Sequence, residues 1–414
     1  MIRNYNIVLS ERKEILILLE ILAIGLALRL MAMFFAPCQP SASGDEGMYY
    51  RLALEVLEKG PLALERTPLY PWFVALCLMA FRSPISVLWV QAIITASWPL
   101  IVWATGKKLG MRPTLALWAG LAVAVFPPFI LYPTRAWLTE SLFTTLLFLA
   151  LWGLAAGARF WPGLVWGISA LARPISPIMA LGYPIARMTR PRQWLPFILG
   201  LVIVACPFFV FNALTGKDRT PYGTHGGAGI LDIIRFENGP CAEGTQVYAG
   251  LLEAPEGTDC SDILWRLKRP HTIPVLMLKK AGYLTLPYRG VKMREMALGP
   301  WPARLLVILL VVIPDAVAFL LGGFYLSFIG IRRRDVFPLS WLWLSTLALA
   351  LIFHGETRYL FPVFPAFIIG TFLLWQERKQ IRWWMILLWL SFCALLIFAW
   401  ISWCVPFYLH HPLR

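Results

Sequence analysis

The sequence predicts an all-α polytopic membrane protein, a bundle of about eleven transmembrane helices with surface helices and loops on one side. Three observations predict it. Of 414 residues, 59% are hydrophobic and only 14% are charged, where a soluble chain carries roughly 25% charge. The mean hydropathy is +0.68. Apolar runs of roughly 20 residues, the length that crosses the hydrocarbon, recur along the chain between short clusters of Lys and Arg. The 20 Trp and 26 Phe agree, because aromatic rings collect at membrane interfaces. A soluble enzyme, a disordered regulator and a disulfide-framed secreted domain are excluded.

Taken in order, the apolar runs are 15–36, 85–105, 114–131, 136–158, 194–214, 303–331, 337–353, 359–375 and 383–407. The first follows Arg12 and Lys13 but is too long for a signal-peptide core, so it is expected to be retained. Residues 161–187 are apolar but broken by Arg173-Pro174. They are expected to form either two short tilted helices or a re-entrant pair. Both return the chain to the same side. Module boundaries follow: 1–214 as an N-terminal membrane module with an outer loop at 37–84, 215–302 as an extracytoplasmic region, and 303–414 as C-terminal membrane helices.

The net charge of +15 would suggest nucleic acid in a soluble protein. Here the basic residues sit between apolar runs, without a stacking platform, so membrane lipids and not nucleic acid are the expected partner. By strict alternation Arg12/Lys13, Lys107/Lys108/Arg112, Arg159, Arg187/Arg190/Arg192, Arg332/Arg333/Arg334 and Arg378/Lys379/Arg382 share one side. The positive-inside rule makes that side cytoplasmic. The long segments then lie outside, and function is expected there, in a cell (plasma or inner) membrane.

The first outer loop carries Ser43-Gly44-Asp45-Glu46 and then an amphipathic stretch. Tyr49, Leu52, Ala53, Val56 and Leu57 share one helical face, and Gly60-Pro61 ends the helix. A helix of this kind is expected to lie in the membrane surface. The second outer segment opens with Gly223, Gly226, Gly227 and Gly229, which match no nucleotide fingerprint, and ends in short helices near 263–267 and 273–286. Lys279, Lys280, Arg289, Lys292 and Arg294 precede the next span, with headgroup attraction as their expected role and substrate binding as the alternative. Cys241 and Cys260, in a compartment where disulfides persist, are expected to pair. Cys38, Cys77, Cys206, Cys393 and Cys404 read as small buried residues.

Ionisable groups near hydrocarbon cost a few kcal/mol each and mark function by default. Asp45 and Glu46 follow the first span, Glu140 opens the 136–158 run, Arg173 marks the break, and His354, Glu356, Arg358 and Tyr359 form an outer turn. Parity puts all of them on one membrane face. Each has a plainer reading. Glu46 closes a capping box with Ser43, Asp45 complements a helix dipole, and Arg173 and Arg358 snorkel to the surface. Arg29, within the first span, is expected to snorkel too. Asp315, after Pro314 and near mid-bilayer, either satisfies backbone freed by the proline or faces a lipid cavity. No HExxH, P-loop or Ser/His/Asp order is present, so metalloprotease and ATPase chemistry drop out.

The order of these pieces resembles the GT-C glycosyltransferases, nearest the protein O-mannosyltransferases and the bacterial transferases that add aminoarabinose to lipid A. The resemblance is carried by Arg29, Gly44-Asp45-Glu46, Thr67-Pro68-Leu69-Tyr70-Pro71, Leu138-Thr139-Glu140-Ser141, Ala172-Arg173-Pro174 and Glu356-Thr357-Arg358-Tyr359. It spans most of 15–370. It departs from some relatives in lacking a large C-terminal periplasmic domain. The resemblance implies a GT-C-like bundle and transfer of a sugar from a polyprenyl-phosphate donor to a lipid, glycan or protein acceptor. It implies Asp45 as general base, with inversion. Glu46, Tyr50, Arg66, Tyr70, Glu140, Arg173, His354, Glu356, Arg358 and Tyr359 are the implied substrate contacts, with Arg358 and Arg173 facing the carrier phosphate. No nucleotide site is needed and the resemblance fixes no cofactor; a divalent cation is an option that Asp45-Glu46 leaves open. The alternative class is a multi-pass transporter or flippase of lipid-linked sugars, which also uses broken helices and intramembrane charge.

Overall fold

The computed structural model describes residues 2–35, 44–61, 67–215, 272–285, 301–352 and 357–404. Among them every regular element is a helix. Six helices are long and apolar enough to cross a membrane, or seven if one bent pair counts as a single span. Leu69–Phe81, Thr139–Ala155 and Phe337–Leu351 are shorter apolar helices. The long apolar helices leave Leu16, Leu199, Leu310, Leu390 and Ile401 exposed. Such a belt is costly in water and favourable in lipid.

The first half runs α1 (Ile2–Phe35), α2 (Gly44–Lys59), α3 (Leu69–Phe81), α4 (Ser86–Thr95), α5 (Trp98–Lys108), α6 (Pro113–Val125), α7 (Pro127–Arg135) and α8 (Thr139–Ala155). Proline sets the interruptions. Phe126, the residue before Pro127, takes ψ 115 and leaves the helix, as the ring of a following proline demands. The expected 114–131 run is therefore a pair, α6 and α7, bent by 43°. After α7 the chain is extended at Ala136 and Leu138.

Then follow α9 (Phe160–Ala170), α10 (Ser176–Ala180), α11 (Gly182–Ala186) and α12 (Pro191–Thr215). The expected break at Arg173-Pro174 is present, and α9, 11 residues long, covers only about 16 Å. It packs backbone-to-backbone on α12: a Cβ on Gly163 would overlap the Phe197 carbonyl. The last helices are α13 (Thr272–Thr285), α14 (Trp301–Val307), α15 (Ile313–Phe328), α16 (Phe337–Ile352), α17 (Phe364–Glu377) and α18 (Trp383–Ala399). A π-helical turn, Ile308–Val312, joins α14 to α15. It widens the ladder where Pro314 would otherwise clash with the preceding turn. Asp315, in the next turn, is buried inside the bundle.

One hydrophobic cluster joins both halves of the chain. Its centre is aromatic: Phe129 packs edge-on against Trp98 and Phe361, both at 5.2 Å, and Phe126 stacks on Phe364 at 4.9 Å. The short helix expected near 273–286 forms as α13 and docks on the C-terminal helices, where Trp400 Nε1 donates to the Gly282 carbonyl at 2.7 Å.

One end of the bundle collects basic segments. Lys107 pairs with Glu14 at 2.9 Å. Arg333 pairs with Glu377 and Asp335 and donates to the Leu109 carbonyl at 2.8 Å. Gln376 bonds the Gly110 carbonyl and the Arg112 N–H, both at 2.9 Å. Segments expected on a common side thus meet there, and α1 carries the chain from that end towards Asp45 at the other.

Two expectations are corrected. Arg29 does not snorkel. It is fully buried, donating from Nε to Thr95 Oγ1 at 3.1 Å and from Nη1 to the Gly25 carbonyl at 2.8 Å. A helix packed on that side leaves no path to the surface. Of the apolar-run cysteines, Cys77 and Cys393 are buried, but Cys206 is exposed, because none of the described residues covers its face of α12. Cys38 and the side chain of Cys404 lie outside the described residues.

Candidate functional site

Helix α2 starts with Asp45 and Glu46 in its first turn, where carboxylates complement the helix dipole. Its apolar face holds it in place. Tyr49, Leu52 and Ala53 are buried, and the Tyr49 ring meets Tyr70 edge-on at 4.8 Å. The expected stripe is partly corrected: Leu57, in the last turn of α2, is exposed. The buried part packs on protein.

Glu46 acts across the chain. Its Oε1 accepts the Trp137 backbone N–H at 3.1 Å, in the extended linker between α7 and α8. That linker leaves the Trp137 amide outside any helical ladder, and a buried amide must find an acceptor. Tyr50, partly exposed, meets the Trp137 ring at 5.7 Å. The carboxylate thus serves a distant segment; Ser43, the expected capping partner, lies outside the described residues.

Three residues on from Trp137, Glu140 lies in the first turn of α8 with no exposed surface. Arg173 pairs with it through Nη2 and donates from Nε to Thr139 Oγ1 at 3.1 Å. The guanidinium lies 5.7 Å from the Phe143 ring and 5.1 Å from the Tyr359 ring. Its cation is therefore held by one carboxylate and two π-faces, and Arg173 is a partly buried ion-pair partner in place of a snorkelling charge.

The Thr67-Pro68-Leu69-Tyr70-Pro71 segment closes the same region. Thr67 Oγ1 donates to the Ala172 carbonyl and the Leu69 N–H to the Leu171 carbonyl, both at 3.1 Å. The helix break before Pro174 leaves those carbonyls without helical partners, and this strap supplies them. Tyr70 has no exposed surface, and its hydroxyl donates to Gln91 Oε1 at 2.5 Å. It sits beneath the site, within electrostatic reach of Glu140 and Glu46.

Among the expected site residues, Asp45, Glu46, Tyr50, Tyr70, Glu140, Arg173 and Tyr359 are thus linked through one network of segments. Arg358 belongs to the 3₁₀ turn Thr357–Val363. Its side chain, and Arg66, His354, Glu356, Cys241 and Cys260, lie outside the described residues. Among the described residues no three His, Cys, Asp or Glu gather as metal ligands would. Asp45 and Glu46 alone are a small donor set for a hard cation that takes six or so oxygens.

Sequence reasoning singles out neither Gln91 nor Trp137, and it names Thr67 and Thr139 only within motifs, without the contacts they make here. For Gln91 the chain carries a signal: an amide inside an apolar run costs free energy unless it is bonded. Trp137 had no signal, since its role lies in its backbone N–H. The chain matches no protein-family model and no curated protein.

Proposed function

We propose that this chain is an integral-membrane glycosyltransferase of GT-C-like architecture with about eleven crossings. It moves a sugar from a polyprenyl-phosphate donor to a lipid, glycan or protein acceptor on the extracytoplasmic face of a cell membrane. One observation carries the reading. Pieces far apart in the chain, at Glu46, Thr67–Tyr70, Trp137–Glu140, Arg173 and Tyr359, are connected by direct contacts. Those pieces are the ones that carry the resemblance to GT-C enzymes. The sidedness rests on the basic clusters and the positive-inside rule.

In this mechanism an acceptor hydroxyl attacks the anomeric carbon and gives its proton to the Asp45 carboxylate. The bond from that carbon to the phosphate oxygen breaks, and its electron pair leaves with the polyprenyl phosphate. Attack opposite the leaving group inverts the centre. Arg358 receives the phosphate through charge-assisted hydrogen bonds. Arg173 is matched in charge by Glu140, so its part is to fix Thr139 and Tyr359 around the donor.

Membranes holding the full chain, supplied with polyprenyl-phosphate sugars labelled metabolically from radioactive glucose, test the reading. The expected result is a labelled acceptor with wild type and little with Asp45→Asn. Vectorial movement of the labelled lipid without transfer overturns it in favour of a flippase.

A further inference from the structure

Gln91 lies in α4 with 1% of its surface exposed, inside the 23-residue span Ser86–Lys108. Its amide makes three contacts: Nε2 donates to the carbonyls of Pro133 at 2.9 Å and Ala136 at 3.0 Å, and Oε1 accepts from Tyr70 at 2.5 Å. The orientation is fixed by chemistry, since carbonyls only accept and the NH₂ group must face them. Those carbonyls belong to the end of α7, where the helix stops and the chain becomes extended. Gln91 is buried against them, so its amide rather than water satisfies them.

The next residue, Trp137, gives its N–H to Glu46, beside Asp45. On its other side Gln91 holds Tyr70, whose strap is bonded to the Leu171–Ala172 carbonyls next to Arg173. We propose that Gln91 is a positioning residue: its amide sets the 136–138 linker against the Thr67–Tyr70 strap, and so locates the Asp45–Glu46 turn relative to the Glu140–Arg173 pair. The inference rests on the transferase reading for its consequence, and on the hydrogen-bond geometry alone for its mechanics.

The test compares wild type, Gln91→Met, Gln91→Glu and Tyr70→Phe as full-length protein in lipid nanodiscs. Met keeps the length but has no donor. An ionised Glu keeps the shape but turns acceptors towards two carbonyls. Backbone hydrogen exchange of 136–138 and 44–50 should rise by about 10–100-fold in both, the size expected when buried hydrogen bonds are lost. Exchange around Arg333 and Glu377 should not change. Tyr70→Phe leaves both carbonyl bonds intact and should loosen 136–138 less.

Transfer of the labelled polyprenyl-phosphate sugar should lose kcat by about tenfold or more in Gln91→Met, with KM within about twofold, the pattern of a displaced reacting group. Unchanged exchange at 44–50, a rise spread evenly over the protein, or unaltered kcat with raised exchange would each overturn the proposal. If wild type transfers no sugar, the transferase reading fails, and the exchange pattern alone decides whether Gln91 holds the linker.

Discussion

Glu140 and Arg173 form an ion pair between the first turn of α8 and the broken helix after α9, with side-chain exposures of 1% and 13%. The pair is closed by Thr139, whose hydroxyl takes the Arg173 Nε–H at 3.1 Å and lies 3.4 Å from Glu140 Oε2. Charges in such a place are held because each neutralises the other. Their net contribution to stability is small, but the loss of one partner is not.

Replacing either partner alone, as Glu140→Gln or Arg173→Gln, should therefore destabilise the protein by about 3–5 kcal/mol, the cost of leaving one buried charge uncompensated. The double variant should be markedly less unstable than the sum. Thermal unfolding of the four proteins in one detergent gives the cycle. Additive losses would show that the two side chains do not act as a pair.

Asp45→Asn separates two roles. A carboxylate that only complements the α2 dipole contributes about 0.5 kcal/mol, and its loss would leave transfer nearly intact. A general base is worth about 10²–10⁴-fold in rate, with expression and protease resistance unchanged because Asp45 is not in the core. Arg358→Ala should weaken donor binding as well as turnover. The measurement is labelled transfer at matched protein levels, and near-normal activity in Asp45→Asn refutes the assignment.

Sidedness is readable with single cysteines in a cysteine-free background. Lys59→Cys should react with an impermeant maleimide on intact cells, and Lys108→Cys only after permeabilisation. Labelling of Lys108→Cys from outside would reverse the topology.

At the basic end, burial alone would raise the Asp335 carboxyl, but hydrogen bonding and charge from Arg333 outweigh it and hold the carboxyl below its ordinary range. A depressed carboxyl stabilises the fold above its unfolded value, about 3.9, and that contribution is lost as pH falls through the folded value. Asp335 is 44% exposed, so screening limits the effect to about 1 kcal/mol or less. The gap in unfolding temperature between wild type and Asp335→Asn should be constant above about pH 5 and close towards pH 3. A gap that persists in acid would mean that Asp335 acts through packing.

Much of the architecture was legible in the chain. The apolar runs marked the long helical regions, although 85–105 and 114–131 each divide in two, the Arg173-Pro174 dipeptide marked the break, and the basic segments around Lys107–Arg112, Arg333 and Arg378 meet at one end. The acids at Asp45 and Glu46 were legible as the start of an amphipathic helix. Arg29 was misread because hydropathy places a residue along a span but not around it. Only packing shows that its side of α1 is covered by α4, where Thr95 meets the guanidinium.

The sequence by itself determined a helical chain with several helices long and apolar enough to cross a membrane, and the places where prolines interrupt them, because each follows from sums over neighbouring residues. The tertiary structure decided that Glu46 serves Trp137, that Arg173 belongs to Glu140 and that Gln91 joins the α7 end to Tyr70. Those partners are backbone groups released where prolines and extended linkers interrupt helices. Which side chain reaches them depends on distances across the bundle, and no local pattern in the chain encodes that.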